Sequence, residues 1–275
     1  MLRNFTAFPF ALLWALSAQA LEIHHGDWQQ GAVIRGAVTP GSELKLGDRT
    51  VRIADDGQFV IGLDRDAESP AKLTLIPPAG EPEHFEFPVK ARDYNIQRIE
   101  GVPQSTVTPD PEQVKRARAE AALAWKARQH DLARTDFTQS FQWPLVGIIT
   151  GVYGSQRFYN GEPRSPHYGV DIAAPQGTPV ASPAPGVVTL VHDDMFFSGG
   201  TLIVDHGHGL SSTFIHLHRI LVKEGEEVGQ GDTIAEVGAT GRATGPHLDW
   251  RMNWFDRRVD PTTLVGPMPE DVASN

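Results

Sequence analysis

Thr201-Leu202-Ile203-Val204-Asp205-His206-Gly207-His208-Gly209-Leu210-Ser211-Ser212-Thr213-Phe214-Ile215-His216-Leu217-His218 decides the fold. Thr201 to Asp205 and Thr213 to His218 are short runs rich in β-branched and apolar residues, and the glycines between them mark a turn. Two such runs joined by a turn predict a pair of strands. His206 and His208, two residues apart between and beside those glycines, read as turn residues and not as a ligand pair.

The same texture extends outward. Gly147 to Thr150, Thr178 to Ala181, Gly186 to Val191, Thr233 to Val237 and His247 to Met252 are further strand candidates, with tight turns at Ala184-Pro185-Gly186 and Gly229-Gln230-Gly231-Asp232. Upstream, Ala32 to Val38, Glu43 to Leu46, Arg49 to Ala54, Gln58 to Leu63, Ala71 to Ile76 and Phe85 to Val89 predict a β-sandwich over residues 21–100. Between the two β regions, residues 101–136 read as a helical connector. Asp110 suits a cap, Pro111 the first helical position and Gln113 a capping box, and Val114, Ala117, Ala121 and Trp125 form an apolar stripe within a helix reaching about Arg134. The expected chain is mainly β, with a C-terminal antiparallel domain over residues 137–265 and a flexible tail at 266–275.

Arg3, the apolar run Phe5 to Leu16 and Ala18-Gln19-Ala20 have the pattern of a secretory signal over residues 1–20, which would leave Leu21 as the mature terminus and place the protein in the periplasm or cell envelope. No later segment offers the ~20 apolar residues of a membrane-spanning helix. The 275 residues include no cysteine, which excludes disulfides, a thiolate metal site and a catalytic thiol. The net charge is −10, and loss of Arg3 with the signal makes it −11, a balance that argues against a nucleic-acid partner.

Three clusters carry candidate chemistry: His167-Tyr168-Gly169-Val170-Asp171, Phe214-Ile215-His216-Leu217-His218 and Pro246-His247-Leu248-Asp249. On a strand, residues two or four apart share a face, so His216 pairs with His218, His247 with Asp249 and His167 with Asp171. Zinc accepts this mixture of nitrogen and oxygen donors. His167 and Asp171 read as first ligands. His216 and His247 read as imidazoles that orient water or stabilise an oxyanion, and His218 is a rival third ligand. His24, His25, His84, His130 and His192 are expected to carry no role.

Tyr153-Gly154, His167-x-x-x-Asp171, Ser212-Thr213-Phe214-Ile215-His216-Leu217 and Gly245-Pro246-His247-Leu248-Asp249 together resemble the lysostaphin-type, or LytM-like, zinc metallopeptidases over residues 141–261. The resemblance implies a peptidoglycan endopeptidase with one zinc per chain, held by His167, Asp171 and Asp249, with His216 and His247 catalytic. It also marks a departure. The family closes on His-x-His, whereas here the second position is Asp249, an aspartate that can still supply an oxygen donor. The same resemblance leaves a second reading open: a catalytically inactive LytM-like protein that binds and activates a cell-wall amidase.

Overall fold

Gly- and Pro-punctuated runs of β-branched residues leave little room for helices, and the chain accordingly folds almost entirely into strands. The computed structural model describes residues 21–100 and 110–269. The predicted signal segment, most of the start of the connector and the end of the tail lie outside the described residues.

In the N-terminal region the strands Leu21–His25, Val33–Val38 and Gln58–Gly62 form one sheet, and Arg49–Val51, Glu43–Leu46, Ala71–Ile76 and Glu83–Phe87 form a second. Ile34, Leu44, Phe59, Ile61, Leu73 and Leu75 are fully buried between them. Two expected strands shift. The run from Arg49 stops at Val51, and the Phe85 alternation belongs to Glu83–Phe87, where Phe87 stacks on Trp28 at 4.1 Å. Ile96–Ile99 leaves this region and pairs in parallel with Gln156–Tyr159.

The helix spans Pro111–Ala127, shorter than expected, and Asp110 caps it by accepting from the Glu112 N–H, with no capping-box bond from Gln113. Its buried face also differs from the expected stripe. Trp125 is 54% exposed, while Glu120 and Ala127 are buried. The polar residue is tolerated because Glu120 accepts from Arg116 and from the Phe196 N–H.

The C-terminal region is built on one large antiparallel sheet with the order Glu227–Val228, Gly186–Met195, Gly199–Asp205, Leu210–Leu217, His247–Trp254, Gly169–Ala173 and Ile148–Gly151; Arg257–Val259 adds to His247–Trp254. Strand alternation divides its faces. Leu248, Trp250, Met252 and Trp254 point into a core shared with the N-terminal sheets, where a Cβ on Gly62 would collide with Trp254 and Val259. His247, Asp249, Arg251 and Asn253 occupy the opposite face. Residues directly opposite in antiparallel strands share a face, so the register builds cross-strand rows on it. One runs Ile215–Asp249–Asp171–Gly151, the next Ile203–Thr213–Arg251–Gly169, and a third Asp205–Ser211–Asn253–Arg258.

Candidate metal centre

Asp171 and Asp249 meet because they are direct partners on adjacent strands. Glycine makes the space. A Cβ on Gly151 would strike the Asp171 carboxylate, and one on Gly169 would strike Asp249 and the Arg251 side chain.

His167 reaches the row differently from the sequence reading. It lies outside the strand, which starts at Gly169, so strand alternation does not set its direction. Two backbone hydrogen bonds pin it: its N–H donates to Ser155 O at 2.8 Å, and its carbonyl accepts from Gly154 N–H at 2.7 Å. Gly154 is itself braced from the N-terminal region, where Arg65 Nε donates to its carbonyl at 3.0 Å.

His167, Asp171 and Asp249 offer donor atoms that all lie within 4.8 Å of one another. His167 Nε2 and Asp171 Oδ1 are 3.3 Å apart, buried, and without hydrogen-bond partners. Bonds of about 2.0–2.2 Å in a tetrahedral site place neighbouring donors about 3.3–3.6 Å apart. The nitrogen and oxygen donors here therefore fit a zinc ion, and the orphaned pair is the observation that shows it.

Asp249 carries a second commitment. It is almost fully buried and is gripped by Arg251, whose Nε donates to Oδ1 at 2.9 Å and whose Nη2 donates to Oδ2 at 2.5 Å. Burial works against its charge, but the adjacent guanidinium outweighs burial and holds the carboxyl below the usual carboxylate range. A carboxylate oxygen has lone pairs for both a guanidinium and a metal.

Two imidazoles flank the donors. His216 and His247 lie with ring centroids 4.8 Å apart, and His247 Nε2 is 3.9 Å from Asp171 Oδ1. In each ring Nδ1 faces a backbone carbonyl at 2.8 Å, Thr240 O for His216 and Gly245 O for His247. A carbonyl only accepts, so each Nδ1 is the donor, and in the neutral ring Nε2 is the nitrogen without a hydrogen. His216 has φ of 65°, at an irregularity in the pairing with Gly199–Asp205, and burial lowers its pKa.

The other histidines separate from this group. His218 lies just past the end of its strand at Leu217, with Nδ1 facing the Gln176 side chain at 3.3 Å. His206 and His208 lie between two strands, and His206 is consumed by contacts to Pro185 O and Ser212 Oγ. His25, expected to be idle, ties the two regions together through Nε2 and Thr263 O at 2.8 Å. Sequence reasoning passed over Thr240 and Arg251. Nothing local marks Thr240, whereas Arg251 sits two residues beyond Asp249 on one strand, and that alternation would have exposed the pair.

An antiparallel sheet presents this donor row with two imidazoles beside it, and comparison with known proteins places such a domain among peptidases. Residues 165–261 match the model of Peptidase family M23. The structure is similar to that of a putative peptidase M23 from Pseudomonas aeruginosa, with a TM-score of 0.68 and 30% identity over 87% of this chain and 96% of that one. The chain belongs to peptidase family M23. It is also similar to Peptidoglycan DD-endopeptidase ShyB of Vibrio cholerae, 39% identical over 160 residues that make up 56% of this chain and 37% of that protein. Peptidoglycan DD-endopeptidase ShyA of the same organism is 37% identical over 108 residues, 39% of this chain and 25% of that protein. The matched parts thus span between a quarter and little more than a third of these curated relatives.

Proposed function

We propose that the protein is a secreted zinc metalloendopeptidase that hydrolyses peptide cross-links in peptidoglycan. The observation that carries this reading is the orphaned, buried His167 Nε2–Asp171 Oδ1 pair aligned with Asp249. His167, Asp171 and Asp249 would hold one zinc ion. When bound, the ion supplies positive charge that polarises a carbonyl and makes water more acidic. His247 offers Nε2 as a proton acceptor beside Asp171, and its Nδ1–H bond to Gly245 O keeps that tautomer in place. His216, whose ring centroid is 4.8 Å from that of His247, would donate from Nε2 toward oxyanion charge once protonated. Gly151 and Gly169 make room for the two carboxylates in the row. Family membership supports a cell-wall peptidase, and the names of the Vibrio relatives point to the DD-peptide bond. Export to the periplasm or envelope rests on the pattern of residues 1–20; among the described residues no helix is long and apolar enough to cross a membrane.

The second reading, an inactive partner of a cell-wall amidase, draws on one observation: Arg251 already engages both oxygens of Asp249. One experiment separates the two. Purified protein is assayed for zinc content beside Asp249→Ala, and both are incubated with isolated cell walls. The hydrolase reading expects one zinc per chain, lost in the variant, and release of peptide fragments by the unmodified protein alone. Wild-type protein that binds no zinc and releases nothing belongs to the second reading.

A further inference from the structure

Glu120 is a charged residue buried in the middle of the helix Pro111–Ala127. A buried carboxylate is tolerated when its oxygens are engaged, and here each oxygen has a separate partner. Oε1 accepts from Arg116 Nε on the same helix at 2.7 Å, whereas Oε2 accepts from the Phe196 N–H, 76 residues away, also at 2.7 Å. An apolar side chain would bury at this position with less desolvation, but it could not hold that N–H.

Phe196 lies in the turn between Gly186–Met195 and Gly199–Asp205. Met195 and Gly199 are the last pair of that ladder, so Phe196 to Ser198 take no register partner from it. Outside anchors hold the turn instead. On the helix side, Arg116 Nη2 adds a bond to Asp194 Oδ2 at 3.0 Å. On the other side the turn is locked to Thr240 and its neighbours. The Gly200 N–H donates to Thr240 Oγ1 at 2.9 Å, and the Arg242 N–H donates to Phe197 O at 2.9 Å. The approach is close: a Cβ on Gly199 would strike Thr240, and one on Gly241 would strike Gly199 and Phe197.

Backbone and ring of His216 both depend on this turn. The His216 N–H donates to Ser198 O at 2.7 Å, and ring Nδ1 donates to Thr240 O at 2.8 Å. Its φ of 65° is a conformation that a histidine keeps where its surroundings impose it. Which ring nitrogen carries the hydrogen is set by the bonds the ring makes, so displacement of Thr240 O would free the imidazole to exchange between its two neutral forms.

We propose that Glu120 is a positioning residue for His216: by holding the Phe196 N–H it keeps the turn against Thr240 and fixes the ring in the Nδ1–H form. The use of this in catalysis rests on the peptidase reading, whereas the state of the ring does not. The connector helix then serves the site and is more than a spacer between two β regions.

The test reads the ring directly. Imidazole nitrogen NMR spectra of full-chain protein labelled in histidine are recorded with zinc present, at a pH where the rings are neutral. The His216 signals are identified by their loss in His216→Ala. Wild type is expected to hold His216 almost wholly in the Nδ1–H form. Glu120→Ala should show a mixture of the two forms at His216, with His247, held by Gly245 O, unchanged. It should also release cell-wall fragments about tenfold more slowly at equal zinc content, the effect of losing the preference that one hydrogen bond gives. Glu120→Gln keeps an acceptor for the Phe196 N–H and should restore the wild-type ring. Asp110→Ala weakens the same helix at its cap and should leave the ring unchanged, which separates positioning from mere support of the helix. If Glu120→Ala does not fold, Thr240→Val, which cuts the bond from the Gly200 N–H and leaves the helix intact, should show the mixture in its place. An unmixed His216 in the folded variant overturns the proposal, as does a mixture of equal size in Glu120→Gln or Asp110→Ala. If the mixture appears while wild-type protein releases no fragments, control of the ring stands and the peptidase reading falls; if fragments are released and the ring never mixes, the reverse holds.

Discussion

Two histidine pairs belong to the same large sheet and its turns and do opposite things. His206 is fully buried, with Nδ1 at 2.7 Å from Pro185 O and Nε2 at 2.8 Å from Ser212 Oγ; its neighbour His208 packs its ring 4.5 Å from Phe137. His216 and His247 are partly or largely buried too, yet each gives only Nδ1 to a carbonyl and keeps Nε2 free. Residue type does not separate His206 from His216 and His247. The count of committed ring nitrogens does: two in His206, one in each of the others.

The comparison is broken most severely at His247. His247→Ala should lower fragment release from cell walls by about 100-fold or more while leaving zinc content unchanged, since general-base assistance contributes that much. An equal loss in His206→Ala at a temperature where it stays folded would erase the distinction between the pairs.

Asp249→Ala comes next. It leaves the Arg251 guanidinium without its carboxylate, a loss of about 2–3 kcal/mol given that the arginine is one-quarter exposed, and it removes a donor from the metal row. Thermal melting and metal analysis read the two effects separately. Asp249→Ala/Arg251→Met should recover most of the melting loss without recovering zinc. Asp249 is depressed in the folded state, so its stabilising contribution is present above about pH 4 and disappears as the pH falls through its lower folded value.

His206→Ala should cost about 2–4 kcal/mol, from the cavity and the stranded Ser212 hydroxyl, with zinc stoichiometry intact. Chemical denaturation measures the first and metal analysis the second.

The smallest expected effect is a pH slope hidden by cancellation. Burial lowers His206 to about 4, so the unfolded chain takes its proton first and stability is lost as the pH drops below 6.5. Burial raises the adjacent Asp205 to about 7, so its contribution is lost as the pH rises from about 4 toward 7. The two slopes oppose each other. In Asp205→Asn the histidine acts alone, and stability should climb by roughly 3 kcal/mol between pH 4 and 6.5, whereas wild type changes less. Melting curves at the two pH values decide it.

Much of this architecture could be read directly. Glu43–Leu46 and Ala71–Ile76 have the expected bounds, because their alternation and flanking turns leave one solution. The helix face was misjudged because Glu120, polar and buried, is satisfied by Arg116 and the distant Phe196 N–H, which no periodicity encodes. The candidate site was legible where strand alternation governs it, at His247 and Asp249. It was hidden where loops govern it: His167 is aimed by Gly154 and Ser155, and His216 is fixed by Thr240, 24 residues away.

The parallel pairing of Ile96–Ile99 with Gln156–Tyr159 bears on how the molecule can be dissected. Cutting the chain near residue 100 to isolate the C-terminal part strips a neighbour from Gln156–Tyr159 and bares one of its ladders to other molecules. Arg65 would go with it, releasing Gly154 and the support beneath His167. A fragment beginning at residue 137 should therefore self-associate and bind zinc less tightly than the whole chain, even with every donor in the metal row retained.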